Sequence, residues 1–200
     1  MSAGRKGALH RSSPYVTKMD SISADLMNEE ERLLKSMRAD PLEFREAMTR
    51  FAAAVSVVTT DGASGRRGVT VSSACSVSDD PATLLVCLNL SSADNAWFEE
   101  NGVFAVNVMS ARDEAIARGF AGEGKLPQPE RFSRGSWSTG ATGAPMLDTA
   151  LASFDCRLID AKVIATHTVL IGEVVGLRTG AAAPSLVYLE RGFHTLDIGR

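Results

Sequence analysis

Cysteine is scarce in this 200-residue chain: Cys75, Cys87 and Cys156 make an odd count with no CxxC pair. That excludes a disulfide framework. A zinc site is excluded with it, because His10, His167 and His194 stand at no ligand spacing, so no metal site is expected. All three cysteines fall in apolar, strand-like surroundings and are expected as small buried hydrophobes of a reducing compartment. No apolar run approaches the roughly 20 residues that cross a membrane, and the apolar core of a secretory signal is missing. Basic surplus is absent too: 21 Lys and Arg face 24 Asp and Glu, a net charge of −3, so the basic stripe of a nucleic-acid binder is not expected. There is no GxGxxG after a strand, which disfavours a Rossmann domain, and no GxSxG, HExxH or carboxylate cluster around a histidine, which leaves a hydrolase without support. The run from Gly119 to Lys125 fits GxxxxGK by spacing. However, Leu126 stands where a Ser or Thr must hold magnesium, and the run follows a helix instead of a strand.

The residues that remain describe an ordinary soluble globule, 44% hydrophobic and 22% charged, of a length that suits one domain. The first 19 residues carry Arg5, Lys6, Arg11 and Lys18 and no acid, and read as a disordered basic tail. A peripheral helix is expected over Ser21 to Arg38, giving a division into a 1–40 extension and a 41–200 domain. Asp40-Pro41 is a helix start, and Phe44, Met48 and Phe51 continue one stripe from it. From residue 52 the pattern changes to strand. Strands are expected at about 52–60, 69–77, 83–89, 103–109, 150–163, 166–179 and 185–190, with short helices at about 92–101 and 112–120. The segment from Gly122 to Pro145 is rich in Gly and Pro and reads as an irregular loop. Such a succession predicts a mainly β fold, an antiparallel barrel with a few peripheral helices.

The stretch from Arg67 to Asn95 carries the most chemistry. Two strands rich in Val, Thr and Ser meet at Asp79-Asp80-Pro81 and run into a Ser/Asn turn that opens a helix. Strand side chains and amides suit the edge of a flat ring, while Ser91, Ser92 and the first helical N–H groups suit a phosphate. An ordinary β-hairpin with a polar helix cap fits the same spacing.

From about Phe44 to Leu196 the sequence resembles the short-chain flavin reductases of two-component monooxygenases. It is most like those of the Rut pyrimidine-utilisation pathway and of 4-hydroxyphenylacetate monooxygenase. The resemblance rests on FREAMTRFAAAVSVVTTDG (44–62), GVTVSSACSVSDDPATLLVCLN (68–89), FAVNVMS (104–110), ERF (130–132), SFDCR (153–157), ATH (165–167) and LVYLERGFHTL (186–196), in that order. It implies a split antiparallel β-barrel of Greek-key type that binds FMN (or FAD) at a homodimer interface. The implied activity is hydride transfer from NADH (or NADPH) to flavin in the cytoplasm, supplying a separate monooxygenase, in pyrimidine degradation for the Rut-type relatives. Such a reaction needs aligned rings and a dry face more than an acid or base, so the missing triad agrees with it.

By the same resemblance, Thr70, Ser72, Ser73 and Cys75 follow the isoalloxazine edge, and Asn89, Ser91, Ser92 and Asn95 hold the ribityl phosphate. His167 sits beside the nicotinamide, although Ala165-Thr166-His167 departs from the Gly-Asp-His of many relatives. Arg191 and Phe193 line the pyrophosphate or ring, and Arg131 and Phe132 close over the flavin. Two other readings fit the same motifs: a flavin-binding carrier or sensor without turnover, and a corrinoid reductase of cobalamin synthesis.

Overall fold

The computed structural model describes residues 28–29, 31–34, 36–197 and 199. The basic stretch with Arg5, Lys6, Arg11 and Lys18, and the first part of the helix expected from Ser21, lie outside the described residues. The chain divides into two units, Met1–Met48 and Thr49–Arg200, so the first takes in helix α1 (Pro41–Met48) as well as the expected tail. Helix α1 starts as its sequence predicts: Asp40 Oδ1 accepts from the Leu42 and Glu43 amides at 2.8 and 3.1 Å. It stops at Met48, short of Phe51, and buries none of its residues.

The second unit holds strands β1 (Ala53–Ala54), β2 (Ser56–Thr60), β3 (Arg67–Val71), β4 (Ala74–Asp79), β5 (Ala82–Asn89) and β6 (Val103–Val108). They are followed by β7 (Trp137–Thr139), β8 (Pro145–Leu147), β9 (Ala152–Ile164), β10 (His167–Thr179), β11 (Ser185–Leu189) and β12 (Gly192–Leu196). Helices α2 (Trp97–Asn101), α3 (Glu114–Phe120) and α4 (Gln128–Phe132) connect them. Seven strands form one antiparallel sheet in the order β3-β2-β6-β9-β10-β5-β4, while β1-β11-β12 and β7-β8 form smaller sheets. Sequential hairpins β2–β3 and β4–β5 thus sit at opposite ends, with the crossovers of a Greek key between them.

The large sheet is curled. Its two edge strands, β3 and β4, are separated in sequence by Ser72 and Ser73 alone, so a flat sheet cannot hold both. One cluster accordingly joins Val71 of β3 to Leu84 and Val86 of β5, Phe104 and Val106 of β6, and Leu170 of β10. Strand β2 is buried along its whole length because both faces are covered. Val58 points into the barrel interior, whereas Val57 faces the other way, onto Ile116, Ala117 and Phe120 of α3 and onto Phe132, Leu147 and Leu186.

Four expectations need correction. The strand expected over 69–77 is two strands: the chain leaves β2 after Val71 and crosses to β5, where Ser73 Oγ donates to the Cys87 carbonyl at 2.9 Å. The segment from Gly122 to Pro145 contains α4 and β7 and begins β8, because Phe132 and Trp137 bury against the α3 layer. A further strand, β12, pairs with β11 through a two-residue turn. Finally, Cys156 is buried as expected, but Cys87 is half-buried and Cys75 is exposed, since β4 is an edge strand.

Candidate functional site

The expected phosphate turn is knitted together by its own side chains. Asn89 Oδ1 accepts from the Ser91 amide at 2.8 Å, and Asn95 Nδ2 donates to the Asn89 carbonyl at 2.8 Å. Ser92 and Asn95 in turn accept from a residue that the sequence reading missed, Arg67, the first residue of β3. Its Nη2 reaches Ser92 Oγ at 2.7 Å and its Nε reaches Asn95 Oδ1 at 2.9 Å. Asp94 Oδ2 lies 3.5 Å from Nη1 and is half-exposed. Burial pushes the Arg67 pKa down, Asp94 opposes this, and the nearby Arg131 charge adds to it. The helix that follows is a single 3₁₀ turn (Ala93–Ala96) and five α residues, and no side chain caps either piece.

The antiparallel register of β5 and β10 places His167 opposite Asn89, and the Leu90 amide donates to the Thr166 carbonyl at 3.0 Å. His167 therefore borders the turn. It is half-buried, with Nδ1 2.9 Å from Thr166 Oγ1.

A second group surrounds a cavity of about 380 Å³ lined by Thr70, Ser72, Arg118, Tyr188, Arg191 and Phe193, among others. Thr70 Oγ1 donates to the Ala117 carbonyl at 2.6 Å, which fixes the strand against α3. The Phe193 ring meets Tyr188 edge-on, at 5.5 Å between centroids, and carries the Arg118 guanidinium 4.8 Å above its centroid. Arg118 is held there by Glu114 at 2.6 Å and Glu123 at 3.4 Å, and the Glu114 hydrogen bond first among these contacts raises its pKa. Arg191 enters from the β11–β12 turn, where Glu190 and Arg191 both adopt left-handed φ values of 46° and 61°. Such two-residue turns normally take Asn-Gly, so two charged side chains here mark a strained turn at the rim of the cavity.

The open edge of β3 lies beside this cavity. Gly68 donates its N–H to Gln128 Oε1 at 3.0 Å and accepts from Gln128 Nε2 at 3.1 Å, so its backbone points away from β2. By the two-residue period of a strand, the N–H and C=O of Thr70 point to the same open edge. Beyond Gln128, that edge offers alternating donors and acceptors to a flat partner.

The remaining expected residues are engaged in other contacts. Ser73 is committed to the Cys87 carbonyl, and Cys75 lines a different cavity, of about 370 Å³, with Ala74, Leu84, Val106, Phe154 and Val174. Arg131 donates to the carbonyls of Leu126 at 2.7 Å and Phe120 at 3.4 Å. The Phe132 ring is buried in edge contact with Phe120 and Trp137, and Arg66 stacks over it at 4.1 Å. No group of three or more His, Cys, Asp or Glu among the described residues is placed to hold a metal.

Residues 48–197 match the flavin reductase like domain. The chain belongs to that family. This flavin reductase-like chain is 47% identical over 154 residues to the FMN reductase (NADH) RutF of Variovorax paradoxus strain S110, covering 77% of its own length and 84% of the relative. Among solved structures, it superposes on a candidate flavin reductase from Haemophilus somnus 129PT with a TM-score of 0.75 and 40% identity, over 79% of this chain and 100% of the other. BorF, the flavin reductase component of a bacterial two-component tryptophan halogenase, gives a TM-score of 0.72 and 34% identity over 78% and 98% of the two chains. The curled antiparallel sheet of this flavin reductase-like chain is thus the split barrel of its relatives.

Proposed function

We propose that this protein is an NADH-dependent FMN reductase that hands reduced flavin to a separate flavin-dependent oxygenase. The observation that carries the reading is the pairing of an open strand edge at Thr70 with a hydroxyl- and amide-rich turn at Asn89–Asn95, both reached from the single strand β3. Arg67 and Thr70 are three residues apart on that strand, roughly 10 Å. A flat ring lies along the edge, with the Thr70 and Ser72 backbone against its polar rim. Asn89, Ser91, Ser92 and Asn95 take the phosphate, and the buried guanidinium behind them suits an anion.

Flavin accepts a hydride from the nicotinamide, and that step needs alignment and a dry face more than proton transfer. His167, at the rim of the turn, and Phe193 with Arg191, at the rim of the cavity, position the dinucleotide. Oxygenase-type partners are supported by relatives that serve as reductase components.

A homodimer completes the reading. Strand β4 is an edge with Val77 52% exposed, and Leu177, 68% exposed, borders the adjoining apolar cavity, so a second copy seated there covers apolar surface. Three unpaired cysteines suit the cytoplasm. Among the described residues no helix is long and apolar enough to cross a membrane. Steady-state NADH consumption with FMN, FAD or riboflavin tests the activity: FMN is expected to serve at least as well as FAD. Flavin binding without turnover of NADH or NADPH replaces the enzyme with a carrier.

A further inference from the structure

We propose that Arg67 is the positioning residue that gives this site its preference for a flavin monophosphate, by fixing the Asn89–Asn95 turn from beneath and lending it positive charge. The inference rests on reading that turn as the phosphate site. Arg67 leaves the first position of β3 with its side chain 9% exposed, yet its two shortest hydrogen bonds go to neutral oxygens, Ser92 Oγ and Asn95 Oδ1. The nearest carboxylate, Asp94, is 54% exposed and only within 3.5 Å. A guanidinium withdrawn from water normally has a closely matched anion. Here Arg131 adds a second positive charge to the same neighbourhood. The arrangement has a cationic surplus that an anionic ligand at the turn offsets.

The hydrogen bonds also have a direction. Ser92 Oγ accepts from Arg67, so its own proton is free to donate outward. Asn95 gives its oxygen to Arg67 and its amide nitrogen to the Asn89 carbonyl, and Asn89 Oδ1 receives the Ser91 amide. One guanidinium therefore sets the orientation of two of the four polar side chains expected at the phosphate, Ser92 and Asn95, while Asn89 is held by the Ser91 amide. A monoester phosphate is close to a dianion at neutral pH, having a second pKa of about 6. Each phosphate of FAD is an ester joined to its neighbour by an anhydride bond and carries one charge, and riboflavin has none. Arg67 thus favours FMN over FAD, and FAD over riboflavin.

The test is equilibrium binding of FMN, FAD and riboflavin, read by flavin fluorescence, to the full chain and to Arg67→Gln, Arg67→Lys, Asp94→Asn and the Ser91→Ala/Ser92→Ala pair. Arg67→Gln is expected to weaken FMN by roughly ten- to a hundredfold, the range of a charge-assisted hydrogen bond, and riboflavin by less than about threefold. Arg67→Lys, which keeps the charge without the fork, recovers part of the loss for FMN only. Asp94→Asn alters an exposed side chain and tightens FMN several-fold, which tests the charge argument even if an Arg67 variant fails to fold. Equal losses for FMN and riboflavin in Arg67→Gln, or no gain for FMN in Asp94→Asn, overturn the proposal. If the serine pair loses FMN selectively while Arg67→Gln does not, the phosphate turn stands and Arg67 falls. If neither distinguishes FMN from riboflavin, the phosphate turn falls with it.

Discussion

Gln128 borrows the role of a missing strand. Its side-chain amide gives one acceptor and one donor to Gly68, at 3.0 and 3.1 Å, where the neighbour of edge strand β3 would otherwise pair. Replacing it with Leu keeps the helical position and removes both bonds, while Gly68 stays buried beneath Phe120. Each bond contributes about 0.5–1.5 kcal/mol net, so the loss is about 1–3 kcal/mol. At the ~2–4 °C per kcal/mol of a chain this size, the melting temperature falls by ~2–12 °C. Urea titration reads the stability, and amide hydrogen exchange reads the site, with a larger acceleration expected at Gly68 than in the central strands β9 and β10. Gln128→Glu sharpens the test. It keeps an acceptor for the Gly68 N–H but sets a carboxylate against the Gly68 carbonyl, so it is expected to be at least as destabilising as Leu. Unchanged Gly68 exchange in both variants refutes the edge-capping role.

Other expectations follow from single contacts. His167→Ala is expected to retain flavin affinity while single-turnover flavin reduction slows by roughly ten- to a hundredfold, because a positional contact carries part of the orientation advantage. An unchanged rate removes His167 from the site. Gly172→Ala puts a Cβ 2.5 Å from Phe104 Cζ and 3.0 Å from Cys156 Cβ inside the barrel, and overpacking of that kind costs about 1–3 kcal/mol in denaturant titration; wild-type stability shows that Phe104 can move aside. Burial first, then the Asp155 charge, pushes the Cys156 thiol from 9.0 up to about 12. Its folded form holds the proton that the unfolded chain releases, so Cys156 contributes stability that is lost as pH rises from 9 through 12. Native thiol labelling at pH 8 therefore spares Cys156 until denaturant is added.

Much of the fold was legible because it is local. Alternation and the Asp79-Asp80-Pro81 break mark β4 and β5, Asn101-Gly102 marks the start of β6, and Asp40-Pro41 marks α1. The split between β3 and β4 was not legible. Ser72 and Ser73 continue the small-residue alternation of a strand, and only the curl of the sheet shows that the chain changes neighbours there. Within the site, Asn89 and Ser91 to Asn95 were readable as a polar turn. Arg67 was not: strand alternation places one of Arg66 and Arg67 inward, and only the packing of β3 against the turn decides which. The pairing of His167 with Asn89 depends on a β5–β10 register that no local pattern carries. Phe132 reads as a candidate lid in sequence, but its ring completes the aromatic cluster with Phe120 and Trp137.

Anaerobic mixing of the purified full chain with FMN and NADH, following the absorbance of the oxidised flavin, tests the central claim most directly. The flavin is expected to bleach as NADH is consumed, one for one. Admitting oxygen is expected to restore the oxidised flavin and let NADH oxidation continue. A flavin spectrum that stays unchanged with NADH and with NADPH, for FMN, FAD and riboflavin alike, contradicts the claim.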